Sequence, residues 1–279
     1  MIRKIPAINR DRLSVTIALI LLALALIPLL NAPGRTVGAS VLGSELGIPI
    51  TPGGLITLLA AALACAGVDI LVGAHPHVRS GQASPTYVFW ILPALTVLAA
   101  AQWLSRASTG LAWAAQLLAA GVALWIIIRA EFSTVDPDAP SAGRSRLLLN
   151  VFAYLLAFGL FAMIWETRAR SLITATLMAL IAFFLAGDLM WVTRAGAVRV
   201  ARHAAVVALV IGECTWALNY WKATTTSAGL ALVLIFYALS GVATQHLFGK
   251  LTRRLIVEFG LVIAVALILA LLGAPRGSS

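Results

Sequence analysis

An acid inside an oily run is the first candidate for chemistry in this chain. Glu213 stands in GECTWALNYW, residues 212–221, with Arg202 eleven residues before it and Lys222 nine after. At the helical rise of 1.5 Å per residue, its carboxyl falls about 16 Å from one basic flank and about 13 Å from the other, near the middle of a bilayer core. A carboxyl there is costly unless it is protonated or hydrogen-bonded, and such a group ordinarily faces the interior of a helix bundle. No Lys or Arg stands at similar depth in another apolar run, so the chemistry open to Glu213 is that of a neutral or hydrogen-bonded acid. Trp216 at i+3 and Tyr220 at i+7 share its helical face, and Asn219 adjoins them. Gln116, Asn150, Tyr154 and Tyr237 are polar groups of other runs placed to meet this stripe. Two uses fit these residue types. One is a pocket for a small apolar or amphipathic ligand, with or without proton coupling. The other is hydrogen-bonding glue between helices.

A second set lies toward the inner face. Asp69, Asp188 and His246 each stand near the inner end of an apolar run, and His75 and His77 follow Asp69 in GVDILVGAHPHVR. Carboxylates and imidazoles at one level can hold a divalent cation or contact a lipid headgroup. Their spacing matches no metal-ligand motif, so no metal is assigned. The plainer use of the two aspartates is to neutralise nearby arginines and cap helix ends. Glu166, beside Arg168 and Arg170, reads as an exposed charged turn, and Glu45 is a lone loop acid. HExxH, GxSxG, GxxxxGK[ST], CxxC and dinucleotide fingerprints are all absent from the sequence. The reading therefore leans away from an enzyme and names no cofactor.

The elements that must position these residues follow from composition. The 279 residues are 61% hydrophobic and 11% charged, with mean hydropathy +1.00, whereas soluble domains carry about 25% charged residues. Too little polar surface remains to face water, so lipid is the main solvent. The apolar runs are continuous and do not alternate, which selects helices over barrel strands. Nine spans are expected, at about 13–30, 55–73, 87–104, 109–128, 147–165, 172–191, 203–221, 228–247 and 255–273, forming one all-α polytopic bundle over residues 1–279. The run 13–30 is too long for a signal h-region and ends in a poor cleavage site, so it reads as a retained helix. Cys65 and Cys214 fall inside runs and read as small packing residues.

With an inside N-terminus, only Arg35, Arg106, Arg168, Arg170, Lys222 and Arg276 of the twenty basic residues fall outside. That bias predicts N-inside and C-outside. The net charge of +10 is thus juxtamembrane, and no nucleic-acid partner is expected. Seven of the eight tryptophans fall near span ends, as an interfacial belt would; Trp216 does not. Loop 31–54 is expected to form a short hairpin or lie on the surface, and loop 129–146 to be polar and flexible. Ala66-Gly67-Val68-Asp69 and Ala186-Gly187-Asp188 hint at a four-plus-four repeat.

Gly67-x-Asp69-x-Leu71-x-x-x-His75-Pro76, with Glu213-x-x-Trp216-x-Leu218-Asn219-Tyr220-Trp221, resembles an uncharacterised family of bacterial polytopic membrane proteins from about span two to span eight. The resemblance implies a bacterial cytoplasmic membrane and carries no catalytic assignment. The function expected first is a small-ligand binding or transport module around Glu213. A structural or assembly subunit with membrane-protein partners comes second, and a lipid-modifying enzyme using Asp69, His75 and Asp188 third.

Overall fold

The computed structural model describes residues 8–30, 35–41, 44–80, 85–167, 171–220 and 224–272. Each of the nine expected runs is a helix. They are α1 (Arg10–Leu26), α2 (Pro52–Gly73), α4 (Ile91–Leu104, entered by the 3₁₀ turn Thr86–Trp90), α5 (Gly110–Thr134), α6 (Ala142–Glu166), α7 (Ser171–Trp191), α8 (Ala197–Asn219), α9 (Thr225–Leu247) and α10 (Arg253–Leu272). A four-residue helix α3, Pro76–Arg79, follows α2. Six of the helices are long and apolar enough to cross a membrane, namely α2, α4 with its entry turn, α5, α6, α7 and α9.

Helix starts follow turn chemistry in the sequence. Asn9 Oδ1 accepts from the Asp11 and Arg12 amides at 3.1 and 3.2 Å, and Thr51 Oγ1 accepts from Gly54 at 3.1 Å with Pro52 at the first helical position. Thr109 caps α5 through Ala112, and Thr224 caps α9 through Ser227. Each cap satisfies donors that the first turn leaves orphaned. Gly196, with φ +87°, provides the bend into α8, a backbone conformation that a side chain would strain.

The segment 31–54 contains an antiparallel hairpin of β1 (Arg35–Val41) and β2 (Ser44–Ile50), with Gly38 opposite Gly47 and Ser40 opposite Glu45. The loop expected over 129–146 is much shorter. Helix α5 continues to Thr134 and α6 begins at Ala142. Hydropathy marks where the apolar stretch ends, whereas backbone hydrogen bonding carries both helices beyond it.

The chain divides into two compact units, residues 1–149 and 150–279. In the first, α1, α2, α4 and α5 close on a core of Ile20, Leu24, Val97 and Leu124, with Ala60, Ala64, Ala100, Ala101 and Ala120 between them. Small residues let helix backbones approach closely where lipid gives no hydrophobic drive to associate. The closest approach involves Gly67, where an added methyl group would collide with the Thr16 side chain. In the second unit α7 packs along α8, where the buried Thr215 hydroxyl donates to Ile211 O at 2.8 Å and lies 3.2 Å from Met178 Sδ. Gly229 of α9 sits against Ala162 of α6, and Gly241 against the Phe259 ring of α10. Trp165, one residue from the end of α6, is only 1% exposed and packs into the core of its unit. Asp69 is half-buried and Asp188 fully buried, so the two residues that hinted at a repeat occupy unlike environments.

Gly67→Ala should lower stability by about 1–3 kcal/mol through overpacking. Gly73→Ala, whose methyl group would meet no atom within 4 Å, should leave stability unchanged or slightly raised. Thermal unfolding in mild detergent measures both, and Thr16→Ala should restore part of the Gly67→Ala loss.

Candidate functional site

The buried stripe of α8 consists of Val200, Ala204, Val207, Ala208, Ile211, Thr215 and Leu218. That stripe fixes the helix rotation and therefore the direction of Glu213, which lies two residues before Thr215. Two residues turn a helix by about 200°, so Glu213 faces outward. It is exposed, as are Trp216 (58%) and Tyr220 (85%); Asn219 is half-buried at the edge of that face. Glu213, Trp216 and Tyr220 share one side as expected. This side faces away from the core of its unit. Thr215 and Ile211 claim the packing surface against α7, and a glutamate cannot compete for that apolar seam. The helix ends at Asn219, six residues beyond Glu213, so the acid is about 9 Å of rise from that end.

Two of the polar groups expected to meet Glu213, Tyr154 and Gln116, are engaged elsewhere. Tyr154 OH lies 3.2 Å from Ser240 Oγ, and its ring packs against Phe236 and Tyr237 at 5.9 and 5.3 Å. The Gln116 amide, oriented to satisfy both its ends, donates to Trp103 O (3.2 Å) and accepts from Trp103 Nε1 (3.3 Å).

The four run-end candidates divide between the units. Asp69 and His75 belong to the first, Asp188 and His246 to the second. His246 is exposed and its ring faces His203 at 5.5 Å, while Asp188 is buried within α7. Among the described residues, no three of His, Cys, Asp and Glu come together to hold a metal ion.

His75 leads to a site that the sequence did not reveal. It caps α3 and is 2% exposed, with its Nδ1 accepting from the His77 amide at 3.2 Å. The Phe132 ring stands edge-on to it at 4.9 Å. Its neighbour His77 places Nε2 3.7 Å from Asp136 Oδ1, in the turn between α5 and α6. Asp136 Oδ1 also accepts from the Asp138 amide at 3.1 Å. These groups line a cleft of about 910 Å³ in the first unit, at the end of α5, where Arg10, Trp125 and Arg129 also face it. Ser133 and Ser145 join α5 to α6 through their hydroxyls, and the Arg129 guanidinium lies over the Trp125 ring at 5.2 Å. His77 and Asp136 are 59 positions apart, so no local pattern pairs them. The one available signal was the Asp136-Pro137-Asp138 turn closing a run that ends in an arginine.

Burial lowers the pKa of His75 and the His77 charge lowers it further, while Asp136 partly opposes them. The fold thus favours neutral imidazole, whose free Nδ1 lone pair the cap requires. A histidine held neutral contributes stability above its unfolded pKa and loses that contribution as the pH falls through the range toward the folded value.

Taken together, six apolar helices and small-residue packing define a helical membrane protein. The match to known families is equally broad. Residues 32–273 fit the model of a protein family of unknown function (DUF5656), and the chain belongs to that family. The match runs from the hairpin region into α10, wider than the span-two to span-eight resemblance. No curated protein and no solved structure matches the chain.

Acidifying from about pH 7.5 to about pH 5.5, across the ordinary histidine range of about 6.5, should lower the melting temperature of the wild type. His75→Asn keeps an N-cap acceptor and should lose part of that acid sensitivity. An equal drop in both proteins would remove His75 as its source.

Proposed function

We propose that the protein is a multi-pass membrane subunit that assembles with a second copy of itself through the outward face of α8. The observation that carries this reading is the exposed acid within that face. Val206, Leu209, Glu213, Trp216 and Tyr220 are all exposed. Their spacings of three, four, three and four residues make a heptad-like seam, the pattern by which two parallel helices interlock. Left facing hydrocarbon, an intramembrane acid costs roughly 2.5–3.5 kcal/mol on insertion scales. A protonated carboxyl is both donor and acceptor, so across a two-fold axis Glu213 can satisfy its own counterpart. Interhelical hydrogen bonds of this kind recover about 1–2 kcal/mol in model helices, and a lone polar group in a seam fixes its register.

The same exposure weighs against a ligand pocket enclosed around Glu213 by its own unit, because a small apolar ligand seated there lacks a second wall within that unit. A transport reading then requires the partner copy to complete the site. In this proposal all nine long helices span the bilayer with the N-terminus inside, supported by the Lys/Arg asymmetry of the sequence. The resemblance noted in the sequence supports a bacterial cytoplasmic membrane as its location.

Photobleaching step counts or native mass spectrometry in lipid nanodiscs should find wild-type dimers. Glu213→Ala should shift the population toward monomer by about tenfold, the equivalent of one such hydrogen bond, and Glu213→Gln should retain most of the dimer. Leu180→Ala, on an exposed α7 position, should change nothing. A monomeric wild type, or a Glu213→Ala protein that dimerises like the wild type, would falsify this assembly.

A further inference from the structure

We infer that the cleft at the end of α5 binds the phosphate group of a membrane phospholipid, with its acyl chains on the side of Trp125, Ile126 and Leu148. The inference is independent of the α8 seam and rests on what lines the cleft. Arg10, in the first turn of α1, and Arg129, near the end of α5, both face it, and both are exposed. Of the two facing acids, Asp136 already accepts from the Asp138 amide and lies beside His77. Two guanidinium groups and two carboxylates therefore face the cleft, and with Asp136 already held by the Asp138 amide the guanidinium groups are the donors open to an anion. A guanidinium pair presents planar, multidentate donors that match phosphate oxygens.

The cleft is also amphipathic. Trp125, Ile126 and Leu148 line it on the α5 and α6 side. Arg129 resting over the Trp125 ring marks the level where hydrocarbon gives way to water, since aromatic and arginine side chains share that zone. A free anion has no use for such a wall, whereas a phospholipid places its phosphate at the arginines and its chains against the apolar side. The volume of about 910 Å³ lies within the range of about 300–1,000 Å³ typical of small-molecule sites. Basic pockets between helices at the membrane surface are a recurrent solution for lipid headgroups.

The test is native mass spectrometry of the full-length protein released from neutral detergent with added dioleoylphosphatidylglycerol. The wild type should retain one lipid. Arg10→Gln and Arg129→Gln should each reduce retention by about tenfold, the scale of one lost charge-assisted contact. Arg199→Gln, an exposed arginine of the other unit, should retain lipid like the wild type. Dioleoylglycerol, which lacks the phosphate, should not be retained. Displacement of the lipid by millimolar glycerol 3-phosphate would support the phosphate chemistry and assign the cleft to a soluble source, while resistance to it supports the lipid. The inference fails if both cleft variants hold the lipid like the wild type, if Arg199→Gln loses it equally, or if dioleoylglycerol binds as well. Melting curves of each variant in the same detergent separate lost binding from lost fold.

Discussion

A peptide group left unpaired in hydrocarbon costs several kcal/mol, and the long helices of this protein answer that cost. Once every backbone donor and acceptor in a run is paired internally, the helices gain little from hydrophobicity when they meet, because lipid tails are as apolar as leucine. Association then depends on close contact and the few polar side chains. The alanines among α1, α2, α4 and α5, Gly67 against Thr16 and Gly229 against Ala162 are the visible consequences. So is the hydroxyl of Thr215, which is satisfied within its own helix and reaches Met178 of α7.

Polar groups that the packing cannot absorb are pushed to two places. Some collect at helix ends, where water is near: His75, His77, Asp136, Arg10 and Arg129 gather in one cleft, and His203 and His246 face each other at another end. Glu213 has no such refuge. The side of α8 against α7 belongs to Ile211 and Thr215, so the acid is turned outward by its neighbours' packing.

Much of this architecture is legible in the sequence, because long apolar runs admit only one backbone solution in lipid. Among the described residues each of the nine runs is a long helix, and Asn9, Thr51, Thr109 and Thr224 mark starts by ordinary capping chemistry. Helix rotation is less legible. Glu213, Trp216 and Tyr220 are correctly placed on one face by spacing alone, but spacing cannot say whether that face meets a neighbour or the surroundings. The direction is set by which side of α8 offers small, shape-matched residues to α7. Trp165 shows the same limit, since a tryptophan near a run end is interfacial or buried according to what packs beside it. The cleft was beyond reach for another reason: His77 and Asp136, 59 positions apart, are brought together by the packing of both α2 and α5 on α1.

Helix α8 carries a consequence for how the chain enters the membrane. It bears Arg199, Arg202 and Glu213, and it is not among the six helices apolar enough to cross on composition alone. Yet it packs along α7, which is one of those six, after a turn of only five residues, 192–196. Synthesis therefore delivers the strongly apolar helix first and the reluctant one directly after. The two pack as a hairpin, so α8, which composition alone does not send across a bilayer, is held by a helix apolar enough to cross one. A mutation on the α7 side of that hairpin would therefore loosen α8 along with α7.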